Sequence, residues 1–420
     1  MRTPRVMCAT VFAAVMGCAL PEIEAANWPQ WRGINRDAVS QEKGLLQTWP
    51  AEGPPLAWKM TGLGEGKASV AVVGRKVYTM GDRSGSQFIL AFDLDERKEL
   101  WAARVGTRWD GGAYCTPTVA GELIFGIGTY GDLVCVETAT GKEVWRRNFG
   151  KDFDGKGMTG WGWSESPLVD GDNVVCTPGA DQAMMVALNK KTGATVWKAP
   201  KPPDHSAGAG YSSIIICNAA GVKQYVQNTG GGLIGVSAAD GKLLWANKKI
   251  ARGTAHACTP VAGGDYVFCS NGYGGGAVFL KIVAGGGGLK AEEIAYVPAD
   301  KFANWHGGAV LVGDYLFGGH GWDTDSRPTC LNLKTGQVMW QVSPAAGDSL
   351  SVAYADGRVY MRYGDGTMML VEPSPEGFKV AGKFKEAVTG GRSLAHPVIS
   401  DGKLYLRCQN TLMCYDITKK

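Results

Sequence analysis

The sequence predicts an all-β protein: an eight-bladed β-propeller of four-stranded antiparallel blades, closed by an N-terminal strand that completes the C-terminal blade. Three observations carry the prediction. A hairpin motif recurs along the chain, its copies are spaced one blade apart, and each end of the chain holds part of a blade that lacks the rest. Seven blades is the alternative if one of two degenerate regions is only a loop.

The motif is clearest in Cys135-Val-Glu-Thr-Ala-Thr-Gly-Lys-Glu-Val-Trp145. Ala187 to Trp197, Gly235 to Trp245 and Cys330 to Trp340 match it class by class, and Ala91 to Trp101 matches except that Arg97 replaces the glycine. Each copy reads as an apolar strand, a polar turn whose glycine tolerates positive φ, and an alternating strand ending in a large aromatic. A second signature lies upstream of each hairpin, as in Pro117 to Phe125, Ser166 to Val175, Thr259 to Phe268, Ala309 to Phe317 and His396 to Tyr405. Two hairpins per repeat make four strands.

The terminal tryptophans are about 44 residues apart from Trp101 to Trp145, about 52 to Trp197 and about 48 to Trp245, the length of one propeller blade. Trp340 follows Trp245 by about 95, so a degenerate repeat belongs between them, over Val278 to Tyr296, with Gly285 to Gly288 as its turn. Another degenerate strand is expected near Val380.

Residues 1–26 carry Arg2 and Arg5, an apolar run from Val6 to Leu20, and small residues at Ala25 and Ala26, the pattern of a secretory signal cleaved after Ala26. The run is too short to span a bilayer of about 30 Å. Val15-Met-Gly-Cys18 approaches a lipoprotein signal, which would tether the chain through Cys18, although a methionine at its second position is atypical. Residues 27–55 form an N-terminal extension expected to pack on the ring, with Trp28 and Trp31 docked on its outside, because indole rings are costly to leave in water. Residues 56–417 form the propeller. Leu56-Ala-Trp58 has the end of a blade with no hairpin before it, and Leu412 to Ile417 has a blade that stops before its last strand. Joined, they close the ring and remove its open edges.

Glycine contributes 61 of 420 residues, in keeping with many turns, and the formal charge of +4 is spread without a basic strip interleaved with aromatics, so nucleic acid is not expected as a partner. Of 11 cysteines, Cys8 and Cys18 lie in the leader. Of the other nine, seven fall at repeated blade positions, Cys115 with Cys258, Cys135 with Cys330 and Cys414, and Cys269 with Cys408, one disulfide being the alternative. That reads as a small apolar residue reused at one buried site, and blade-equivalent positions are too far apart to bond.

The repeated hairpins over roughly residues 56–417 resemble the PQQ-like β-propeller repeat family, which includes quinoprotein alcohol dehydrogenases and the propeller lipoprotein of the outer-membrane β-barrel assembly machinery. The matched motif docks blades, so Trp58, Trp101, Trp145, Trp197, Trp245 and Trp340 are expected in that structural role. The opening Asn27-Trp-Pro-Gln-Trp-Arg-Gly-Ile-Asn-Arg-Asp37 looks like that of many exported members. The family's enzymes imply PQQ and Ca²⁺, an adjacent Cys-Cys pair over the cofactor, a catalytic Asp, and Glu, Asn and Asp calcium ligands. This chain has neither a Cys-Cys dipeptide nor a Cys-x-x-Cys-His haem site.

The remaining candidates are few. Trp163 and Glu165 would set an aromatic floor and a carboxylate at a channel mouth as cofactor contacts, and Asp323 and Asp325 would offer oxygen ligands to a hard cation. His256, His306 and His396 stand near the starts of innermost strands and would meet across the channel to bind a metal or an anion. For each, the competing reading is a loop or a hydrogen-bonded structural residue. Gly208-Ala-Gly210 and Gly62-Leu-Gly64 lack the helix a phosphate loop needs, and no nucleophile elbow is present.

The function expected is an exported, non-catalytic binding or scaffold module of the cell envelope, monomeric, with a protein segment or a glycan bound at the channel mouth. No cofactor is assigned to it. The alternative is a periplasmic quinoprotein oxidoreductase using PQQ and Ca²⁺.

Overall fold

The computed structural model describes residues 27–419, apart from 159, 255, 322–325, 344, 345, 348 and 389. The leader, Cys18 and the Asp323 and Asp325 pair lie outside the described residues. Within them the chain forms eight sheets and one short helix, Phe149–Phe153. No helix among the described residues is long and apolar enough to cross a membrane.

Each sheet is a blade of consecutive antiparallel strands: 71–107, 118–148, 168–199, 215–247, 261–297, 309–341, 350–385 and 398–416. We number them blades 1 to 8. Both degenerate regions are true blades, which removes the seven-blade alternative. Gly276–Gly285 pairs with Gly288–Val297 through a long hairpin, and Val380 lies opposite Val371 in blade 7. Leu56–Thr61 supplies the fourth strand of blade 8, with Trp58 opposite Cys414. The ring is therefore closed by hydrogen bonds between the two ends of the chain.

The repeated tryptophan and the repeated glycine explain one another. Trp101, Trp145 and Trp197 each lie against the turn glycine of the following blade: a methyl group added at Gly141, Gly193 or Gly241 would stand 2.6, 2.8 or 2.5 Å from the ring. Those glycines also have φ of +71°, +69° and +75°, a region L residues enter at about 1–2 kcal/mol each. The Trp101 and Trp145 Nε1–H groups donate to the carbonyls of Thr138 and Lys190, at 3.1 and 2.9 Å, in the same turns. Trp340 donates to the Ser374 carbonyl of blade 7 at 2.8 Å. Trp245 departs from the rule, donating to Gln224 Oε1 of its own blade, because the next turn has been carried outward to Gly285–Gly288.

Nine cysteines are buried and unbonded, packed between blades. Two buried arginines tie neighbouring blades. Arg407 of blade 8 donates to the carbonyls of Ala68, Met80 and Gly64 around blade 1, and Arg362 of blade 7 donates to the Ala395 carbonyl ahead of blade 8 at 2.6 Å while pairing with Glu386 at the end of its own blade, fully shielded from solvent.

The N-terminal extension does not dock Trp28 and Trp31 on the outside; it loops into the channel and leaves by the face it entered. Trp28 pairs with Val72 of blade 1 by two 2.8 Å backbone bonds, the Pro29 carbonyl accepts from Val119 of blade 2, and Val39–Ser40 runs parallel to the innermost strand of blade 7. Arg36 donates to the carbonyls of Ser166 and Pro167 of blade 3, and Arg32 to that of Ala309 of blade 6. The physical reason is the inner edge of the ring. Innermost strands turn unpaired backbone groups toward the axis, and unpaired buried groups are costly, so a segment that both pairs them and buries its indoles is favoured over one lying outside. From Leu45 to Trp49 the extension then passes along blades 7 and 8, where Trp49 meets Phe384 edge-on at 5.1 Å.

Candidate functional site

Every innermost strand runs from one face of the ring to the other, so the residues just before it rim one mouth of the channel. In blades 1 to 5 the same position holds a hydroxyl: Ser69, Thr116, Ser166, Ser213 and Thr259. These link blade to blade. The Ser69 amide donates to Thr116 Oγ1 at 3.0 Å, Thr116 to Ser166 Oγ at 3.0 Å, Ser166 to Ser213 Oγ at 2.9 Å, and Ser213 to Thr259 Oγ1 at 3.4 Å. Ser69 Oγ closes toward blade 8 by donating to the His396 carbonyl at 2.8 Å.

Extended backbone alternates its side chains, so the residue two before each hydroxyl faces the channel while the one between faces the neighbouring blade. The channel-facing set is Lys67, Tyr114, Ser164, Tyr211 and Ala257, continued by His306 and Leu394. All of them line a cavity of about 430 Å³ at the mouth. Trp161, Tyr273, Trp305 and Arg392 from adjoining loops complete its walls, and Trp31 of the looped-in extension forms its floor. Trp31 is held there by its Nε1–H donating to Thr259 Oγ1 at 3.1 Å and by its ring on His396 at 4.4 Å.

The charge of this cavity is one-sided. No carboxylate lines it among the described residues. Lys67 donates to the Gly111 carbonyl at 2.6 Å and stands 5.2 Å from the Tyr114 ring centre. Burial, and then the guanidinium of Arg392, draw the Lys67 ammonium below its usual range.

Glu165 occupies the intervening position, shared with Cys115 and Cys258, and is turned away from the cavity. It is 3% exposed, accepts from the amide and hydroxyl of Thr177 and from Gln227 Nε2 at 3.2 Å, and burial pushes its carboxyl up to about 7. Trp163 lies edge-on to Phe149 and donates to the Pro178 carbonyl at 3.3 Å; the indole that reaches the cavity is Trp161.

Of the three histidines, two come together. His396 Nε2 is 3.0 Å from the His306 carbonyl, and both residues line the cavity. Burial and Arg32 hold the His396 imidazole well below its usual pKa. His256 is buried elsewhere, with Nδ1 on the Thr229 carbonyl and Nε2 accepting from the Arg252 amide. Among the described residues no three His, Cys, Asp or Glu side chains are grouped to hold a metal ion. Calcium takes 6–8 oxygen ligands; among the described residues no carboxylate lines the mouth and Glu165 is turned away, so the described lining does not fit a calcium-held quinone.

Most of the lining residues escaped the sequence reading, among them Lys67, Tyr114, Tyr211, Tyr273, Trp305, Arg392 and, as a floor, Trp31. For Lys67 and Tyr114 a signal was present, since counting two residues back from Ser69 and Thr116 finds them. The loop residues and the floor carry no such register.

No curated protein sequence matches the chain. Its fold is shared with several solved structures at low identity. BamB from Moraxella catarrhalis aligns with a TM-score of 0.61 and 12% identity over 87% of this chain and 98% of its own. A europium-containing methanol dehydrogenase gives 0.64 and 14% over 91% and 89%, and the quinohemoprotein alcohol dehydrogenase from Comamonas testosteroni 0.64 and 12% over 94% and 81%. Identities this low speak for the fold alone. A family model described as outer membrane protein assembly factor BamB matches residues 85–342, more than half of the chain, and on that match the protein belongs to this family of PQQ-like β-propellers.

Proposed function

We propose that the protein is an exported binding module of the cell envelope whose ligand sits in the channel mouth. The observation that carries this is the cavity itself: side chains from seven blades converge on one aromatic-walled space, floored by a segment looped into the channel from the opposite face, with hydroxyls and cations at set positions. A few placed polar groups in a concave, largely apolar wall is what small-ligand sites share. Export rests on the leader pattern and on the family's envelope association. A glycan or a protein segment remains the ligand class.

Thermal denaturation of the chain from Asn27 onward, against mono- and disaccharides and short peptides, tests the reading. Ligands that bind N alone raise the melting temperature. The expected result is a rise with some members that is lost in Trp161→Ala and in Lys67→Ala, and none with PQQ that depends on Ca²⁺. Rises untouched by both substitutions, or a calcium-dependent rise with PQQ, would overturn it.

A further inference from the structure

The exposed aromatic side chains of the described residues are Tyr130, Trp161 and Tyr273, at 49%, 40% and 51%, and all three stand on the mouth face. The second strand of each blade returns to that face, so the turns before the third strands open there. Tyr130 and Tyr273 tip those turns in blades 2 and 5, and Trp161 lies in the loop leading to blade 3. Each is braced edge to face by a less exposed ring: Tyr130 by Trp109 at 5.6 Å and 70°, Trp161 by Tyr211 at 5.5 Å and 80°, and Tyr273 by Trp305 at 5.7 Å and 64°. Bracing of this kind fixes a ring without covering both of its faces.

The rings form an arc. A methyl group added at Gly111 would meet both the Trp109 ring and the Tyr114 hydroxyl, so the outermost pair joins the cavity wall there. Tyr114, Tyr211 and Tyr273 continue it, each phenol close enough to feel the charge of the next. The arc spans blades 2 to 5, over the hydroxyl ladder from Thr116 to Thr259. Tyr130 lies beyond the cavity, so a single small ligand would leave it unused.

A pyranose carries the matching surfaces, apolar C–H faces for the electron-rich faces of aromatic rings and an edge of hydroxyls for polar groups. The Tyr114 hydroxyl bonds to no described residue, and Lys67 spends one N–H on the Gly111 carbonyl, which leaves donors for such an edge. Charge does not select the ligand, because the Lys67 ammonium feels the buried Asp82 carboxylate as well as Arg392.

Resting on the reading of the mouth as a binding site, we propose that it takes a polysaccharide chain of several pyranose units, laid along the arc from Tyr130 to Tyr273 and recognised by ring faces and hydroxyls. A peptide gains most from a strand edge to pair with. The inner edges of blades 1, 2 and 7 already carry Trp28, Pro29 and Val39–Ser40. The exposed large aliphatic side chains that a protein partner would cover lie on outermost strands at the perimeter, apart from Ile34 of the channel segment.

Calorimetric titration tests this with gluco-, xylo-, manno- and chito-oligosaccharides from one to about six units, beside oligogalacturonate and a proline-rich peptide. With at least one neutral series, affinity is expected to rise about ten-fold or more from dimer to hexamer and to change less than about two-fold between low and high salt. Tyr130→Ala, checked for an unchanged melting curve, should remove the gain with length and leave dimer binding as it was, while Trp161→Ala weakens every length. Equal affinity at all lengths, or a gain that survives Tyr130→Ala, overturns the chain and leaves the mouth as a site for a short ligand. Binding that falls steeply with salt, or binding of oligogalacturonate or the peptide alone, overturns it as well. If no oligosaccharide gives heat, the polysaccharide assignment falls; if the thermal panel of small saccharides and peptides is also silent, so does the ligand-site reading.

Discussion

Glu165 and Ser166 are adjacent in sequence and face opposite ways, the hydroxyl toward the channel and the carboxylate into the space between blades. A carboxyl held up near 7 by burial is neutral more often in the folded chain than in the unfolded one, so it favours folding at low pH. That contribution is full below the unfolded value near 4.5 and is lost as pH rises through about 7. His256 and His396 act in the other direction, their depressed values favouring folding only once pH exceeds the ordinary histidine range. The comparison that isolates Glu165 is therefore Glu165→Gln against the parent by urea denaturation from pH 4.5 to 7.5. The parent should lose stability relative to the variant across that window, by a few kcal/mol at most, at about 1.4 per pKa unit. A constant difference would mean that the carboxylate is ionised throughout. The sequence shows the Trp-x-Trp-x-Glu cluster plainly, but which of its side chains enters the cavity depends on a two-residue register. Counted from Ser166, that register puts Ser164 at the mouth and Glu165 behind it.

At the level of the hairpin, a bulky ring from one blade and an absent side chain on the next form a single joint. Trp145 is 9% exposed, lies on Gly193 and donates to Lys190. Trp145→Ala should cost about 3–5 kcal/mol, the range for truncating a buried aromatic, read as a shift of the denaturation midpoint. A loss near zero would mean that neighbouring blades pack without it. These joints were the most legible part of the sequence because they repeat: Trp, Gly and their spacing recur in four hairpins, and a fifth keeps the Trp with Arg97 in place of the glycine. Blade 5 was legible only as a gap, since its hairpin runs on to Gly285–Gly288 and no ring from blade 4 reaches that turn.

For the molecule as a whole, residues 27–61 do two separate things: Trp28 to Ser40 fills the channel, and Leu56–Thr61 latches the ring. The latch was readable, since a blade ending stood at one end of the sequence and a blade lacking its ending at the other. The channel segment was not, because what draws it inward is the unpaired inner edge of eight strands, which leaves no pattern in residues 27–40 themselves. Deleting 27–60 should expose the Thr411–Asp416 edge and give aggregates by size-exclusion chromatography, whereas deleting 27–38 should leave a closed monomer that has lost the cavity floor. A monomer with an unchanged melting curve from the first deletion would show that blade 8 stands without its fourth strand.

The side chain of Asn27 accepts from the Gly74 amide, at the turn where the innermost strand of blade 1 ends. That turn and the rim at Lys67 lie at opposite ends of the same strand. The polypeptide thus enters from the underside, and any surface gripping it at Asn27 would hold the molecule like a cup by its base, opening turned outward.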